Sequence, residues 1–166
     1  MTTNLPSLSL PGQTNAIKTI LWSALVAGTL DATAGVVVYF LFFGYNPLQV
    51  LQWIASGIFG PSAMTGGLLT VFVGLVLHYF IAFAVAGIYF FLFQKIKFLV
   101  NNPVLSGLLF GAAIWAVMNL IVIPLSNIPP APFNVPLAII AVTWHIILVG
   151  LPISLITNSY YKSTQA

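Results

Sequence analysis

Four long apolar runs follow one another along the chain, separated by short polar breaks, and a fifth, shorter run lies between the first two. The first runs from about Ala16 to Phe43 and stops at Gly44. The second covers about Gly67 to Phe93. The third begins with Asn102 as N-cap and Pro103 at the first helical position, the favoured start chemistry, and ends near Pro124. The fourth covers about Pro136 to Tyr160, with Pro152 placed to kink it. Each is long enough to cross a hydrocarbon core of about 30 Å. Strands with open edges at that depth would leave backbone groups unpaired, so the runs predict helices. The expected fold is an all-α membrane protein, an antiparallel bundle of four transmembrane helices forming one domain over residues 15–162.

Residues 1–14, with Pro6, Pro11 and Gly12, read as a flexible tail. The run behind it is about twice as long as the core of a secretory leader and has no small-residue cleavage pattern after it, so it reads as a retained helix. Between the first two spans, Asn46 and Pro47 look like a helix start, and Leu48, Leu51, Ile54, Ala55 and Ile58 recur at helical spacing. This helix, about residues 47–59, is too short to span and is expected in the membrane interface with Trp53 as an anchor. The loop Ser126 to Val135 carries Pro129, Pro130 and Pro132 and should be extended.

Composition agrees with this pattern. Sixty per cent of the 166 residues are hydrophobic and 3% charged, with a mean hydropathy of +1.10. A water-soluble domain is about a quarter charged, so lipid must cover most of this molecule. The net charge of +3 comes from four Lys and one carboxylate, too little to build a nucleic-acid surface. Cysteine is absent, which excludes disulfides and thiolate chemistry. Lys18 precedes the first span, Lys95 and Lys97 join the second and third, and Lys162 follows the fourth, so all lie at one end of a four-span bundle. The positive-inside rule then places both termini in the cytoplasm.

Asp31 is the only acidic residue and falls in the middle of the first span. An ionisable group at bilayer depth costs several kcal/mol and marks a candidate functional site. His78 precedes Lys95 by 17 residues, His145 precedes Lys162 by 17, Asn119 follows Asn102 by 17, and Asp31 follows Asn15 by 16. At 1.5 Å per residue each lies about 25 Å from the lysine-bearing end. One strongly polar residue per span therefore falls in one layer. Facing supports this: Gly28, Asp31 and Gly35 share one helix face, as do Gly74 and His78, then Gly107, Gly111 and Asn119, then Ala138, Ala141 and His145. Small residues mark close helix contact in lipid, so the five glycines are expected to pack and the polar residues to point inward or into an oligomer interface. A faint two-fold echo, Asp31 then His78 and Asn119 then His145, fits two related hairpins.

Each residue also has a simpler reading. Asn119 could serve only an interhelical hydrogen bond, worth about 0.6 kcal/mol. Either His could be a neutral core side chain, and Asp31 a protonated or paired carboxyl that locks the helices. Trp22, Trp53, Tyr45 and Tyr160 read as interface anchors. The three ionisable groups at one depth are harder to dismiss, because a carboxyl and an imidazole there can exchange a proton near neutral pH.

The second half carries, in order, His78 followed by Phe83 to Tyr89 (FAVAGIY), Gln94 to Lys97 (QKIK), Ser106 to Ala113 (SGLLFGAA), the Pro124–Leu125 helix end, Pro129 to Phe133 (PPAPF) and His145. In these features it resembles the YagU-like family of small bacterial inner-membrane proteins. The resemblance implies a four-helix protein of the bacterial cytoplasmic membrane with His in the second and fourth helices. The first half, with Asp31, matches less clearly, and no role for Asp31 follows from it.

Three functions are open. The first is a small transport or permeation module in which Asp31, His78, Asn119 and His145 bind a proton, cation or polar solute. The second is a structural or accessory subunit of a membrane complex. The third is a haem- or metal-binding protein through His78 and His145. The expected partners are the lipid bilayer and a homo-oligomer or larger complex. No Ser–His–acid set and no Gly-rich phosphate loop points to an enzyme, and Thr143 beside His145 is a poor nucleophile.

Overall fold

The computed structural model describes residues 11–165, and every regular element among them is helical. Helix α1 (Pro11–Phe43) starts earlier than its apolar pattern, inside the expected tail, whose residues 1–10 lie outside the described residues. It ends at Gly44, φ 69°, a left-handed backbone that only glycine takes without steric cost. Helix α2 (Pro47–Phe59) opens with a capping box. The Asn46 side chain accepts from the Gln49 backbone N–H at 3.0 Å, and the Gln49 side chain accepts from the Asn46 N–H at 2.9 Å. A 3₁₀ turn (Gly60–Thr65) leads into α3 (Gly67–Phe93).

A short α4 (Lys97–Asn101) precedes α5 (Pro103–Val117). Asn102 and Pro103 occupy the expected start positions, but the Asn102 side chain donates back to the Phe98 carbonyl instead of capping α5. A π-helical turn (Met118–Val122) and α6 (Ile123–Leu125) complete the third span. The fourth contains α7 (Val135–Trp144), capped by Asn134, a second π turn (His145–Gly150) and α8 (Leu151–Gln165). The kink expected at Pro152 is thus realised as a π turn ahead of it, and the same happens ahead of Pro124. Proline has no N–H to donate and its ring crowds the carbonyl four residues back, here Leu148 and Leu120; widening the helix relieves that crowding.

Four helices are long and apolar enough to cross a membrane: Asn15–Phe43, Gly67–Phe93, Pro103–Leu125 and Val135–Ser163. The fourth is the central one. Its most apolar window is 28% buried, against 11% in each of the others. It packs on α1 on one side and on α5 on the other. The contact with α5 is backbone to backbone: a Cβ on Gly111 would overlap the His145 carbonyl, and one on Gly150 would overlap the Gly107 carbonyl. Gly28 fits closely against Ala82 and Tyr79, where a Cβ would come within 3.1 and 3.2 Å. Gly35, expected to pack, does not: nothing lies within 4 Å of its Cβ position.

The core gathers Ala24, Ala27, Ala86, Tyr89, Phe93, Ile114, Val149 and Ile153. Within it the Tyr89 hydroxyl lies 2.6 Å from that of Ser154 and 2.8 Å from that of Ser106, joining three spans. At the other end, α2 is docked on the bundle rather than only resting beside it. Gly74 of α3 receives the Leu51 backbone in the space a Cβ would fill. The Thr70 hydroxyl donates to the Ala63 carbonyl at 2.8 Å. Asn127 donates from its backbone to the Gly57 carbonyl at 3.0 Å and from its side chain to the Ile58 carbonyl at 2.8 Å. Trp53 spends its ring on Tyr39, with centroids 5.1 Å apart.

Candidate functional site

Asp31 lies on α1, about one turn beyond the close contact at Gly28. The central fourth span brings two side chains to it. The Trp144 indole N–H donates to Asp31 Oδ1 at 2.8 Å, and His145 Nε2 lies 3.7 Å from the same oxygen. The two rings stack, with centroids 5.3 Å apart and planes 23° from parallel. The site is partly enclosed, with side-chain exposure of 13% at His145 and 26% at Asp31. This is the only ion pair among the described residues.

Hydrogen-bond roles fix the chemistry. His145 Nδ1 is 2.8 Å from the Ala141 carbonyl, four residues back on its own helix. A carbonyl oxygen only accepts, so Nδ1 carries a hydrogen. The other nitrogen, Nε2, is the one that faces Asp31. If both groups were deprotonated, lone pairs would face each other across 3.7 Å. A proton on either group makes the contact attractive, as carboxylate with imidazolium or as carboxylic acid with neutral imidazole.

The other two residues of the expected layer go elsewhere. His78 Nε2 donates to the Gly28 carbonyl of α1 at 2.8 Å. Beside it the Tyr79 ring lies edge-on, and the Tyr79 and Thr29 hydroxyls are 2.9 Å apart. His78 therefore grips the same helix as His145, but through backbone. Asn119 corrects the inward reading: it is exposed, and its side chain donates to the Trp115 carbonyl on its own helix at 2.9 Å. The π turn beginning at Met118 changes the helical phase at this point, so extrapolating the α-helical face from Gly107 and Gly111 fails there.

Trp144 is the participant that sequence reasoning missed. Its position beside His145 was the available signal, but tryptophan in a membrane protein reads first as an interface anchor. For haem or metal, each His has one nitrogen committed to a backbone carbonyl, and the remaining nitrogen of His145 faces Asp31. No three potential metal ligands group together among the described residues. Comparison of the chain with family models, with curated proteins and with solved structures finds no match.

Proposed function

We propose that this multi-pass membrane protein is a small transport or permeation module in which Asp31 and His145 take up and release a proton or a small cation. The observation that carries this reading is the approach of His145 Nε2 to within 3.7 Å of Asp31 Oδ1 inside membrane-spanning helices. A cation that approached Asp31 would compete with a proton for the same carboxylate oxygen. Trp144 holds the carboxylate in place, and His78 sets α1 against α3. Four helices enclose little space, so passage through the membrane calls for a homo-oligomer or a larger complex. The lysine distribution supports cytoplasmic termini, and the resemblance of the second half to the YagU-like family supports the bacterial cytoplasmic membrane. The test is proton and monovalent-cation flux in liposomes. Flux carried by the wild type and lost in Asp31→Asn and in His145→Gln supports the reading; equal flux in all three overturns it.

A second reading, a structural or accessory subunit, is favoured by one observation. The same polar contacts clamp the first span to the second and fourth through Gly28 and Asp31. On that reading Asp31→Asn lowers thermal stability or releases a partner in a pull-down, and no flux depends on it.

A further inference from the structure

We infer that the groove between the start of α1 and the end of α8 binds the phosphate of an anionic glycerophospholipid. This groove, of about 470 Å³, is lined by Asn15, Lys18, Thr19, Trp22, Ser159 and Ser163 among others. It lies at the lysine-bearing end of the bundle, far from Asp31, and the inference stands independently of the proposed transport role.

Lys18 brings a positive charge that no ion pair neutralises among the described residues. The sole carboxylate side chain is Asp31, which lies about 20 Å farther along the same helix, beyond the screening length of about 10 Å. Around the ammonium group are short polar side chains. The Thr19, Ser159 and Ser163 hydroxyls donate to the carbonyls of Asn15, Leu155 and Tyr160 on their own helices, at 2.8, 2.9 and 2.8 Å. Such bonds rotate away at little cost when a stronger acceptor arrives, and a phosphodiester oxygen beside an ammonium is one. Asn15 adds an amide donor.

The apolar surroundings distinguish a lipid from a soluble anion. Trp22 is 61% exposed on the groove wall, and Leu21 and Leu25 on the adjoining turns are 43% and 44% exposed. An indole at the level of a lysine, with leucines running toward the bundle centre, matches the succession of headgroup, glycerol and acyl chain. A free phosphate would use only the upper part of this surface.

The experiment is native mass spectrometry of the delipidated full chain with added dioleoylphosphatidylglycerol or dioleoylphosphatidylcholine. The anionic lipid should bind about fivefold more tightly, the contribution of one lysine near an anionic surface. Lys18→Ala should abolish that preference, Lys18→Arg should keep it, and Lys97→Ala, at the same end but outside the groove, should leave it unchanged. Equal binding of the two lipids overturns the inference, as does a preference that survives Lys18→Ala. Displacement of the anionic lipid by low-millimolar glycerol phosphate also overturns it, because the site would then belong to a soluble anion. Circular dichroism of each variant confirms that the helices are intact.

Discussion

At the scale of single residues, the two histidines should be opposite tautomers when neutral. His145 keeps its hydrogen on Nδ1 for the Ala141 carbonyl, whereas His78 keeps its hydrogen on Nε2 for the Gly28 carbonyl. Nitrogen-15 NMR of ring-labelled protein should therefore place the hydrogen of the neutral ring on Nδ1 in His145 and on Nε2 in His78. Trp144→Phe keeps an aromatic ring beside His145 and removes the indole N–H together with its five-membered ring. It should cost about 2 kcal/mol of stability wherever Asp31 is ionised and much less in the Asp31→Asn background, a difference that a double-mutant cycle of thermal or denaturant unfolding measures. That Asp31 matters was legible from its solitude in the sequence. Its partners were not fully so, because periodicity gives depth and facing within one helix but not which two helices meet.

At the scale of elements, close backbone contact separates glycines that look alike. Gly111→Ala would drive a methyl into the His145 carbonyl, and because both sides of the contact are backbone, neither can give locally. It should push α5 off the fourth span and cost roughly 3 kcal/mol. Gly35→Ala meets nothing and should be neutral or stabilising by up to about 1 kcal/mol from helix propensity. Unfolding of both variants in mild detergent checks the contrast. From sequence, both glycines lay on small-residue stripes. What differs is the crossing point of the helices, which depends on where the partner span places its own Gly150. The spans themselves were legible nearly to the residue because apolar length and glycine stops determine them locally. The docking of α2 was not, since it depends on a cavity left by Gly74, distant in sequence from the Leu51 backbone that fills it.

At the scale of the whole molecule, the four Lys at one end predict a topology that can be read directly. Because the chain has no cysteine, each introduced one reports alone. In right-side-out cells, a cysteine at Phe133, which is 73% exposed in the far loop, should react with an impermeant maleimide. A cysteine at Lys97 should react only after permeabilisation; the reverse pattern would invert the assigned orientation. The central position of the fourth span has a consequence for biogenesis. During synthesis the first three spans emerge before the segment that separates and joins them. Until Trp144 and His145 arrive, Asp31 has neither of the side chains that it meets in the finished fold. The last span is therefore the closing piece, and the contacts that tie the first span to the third-span side of the bundle wait for it.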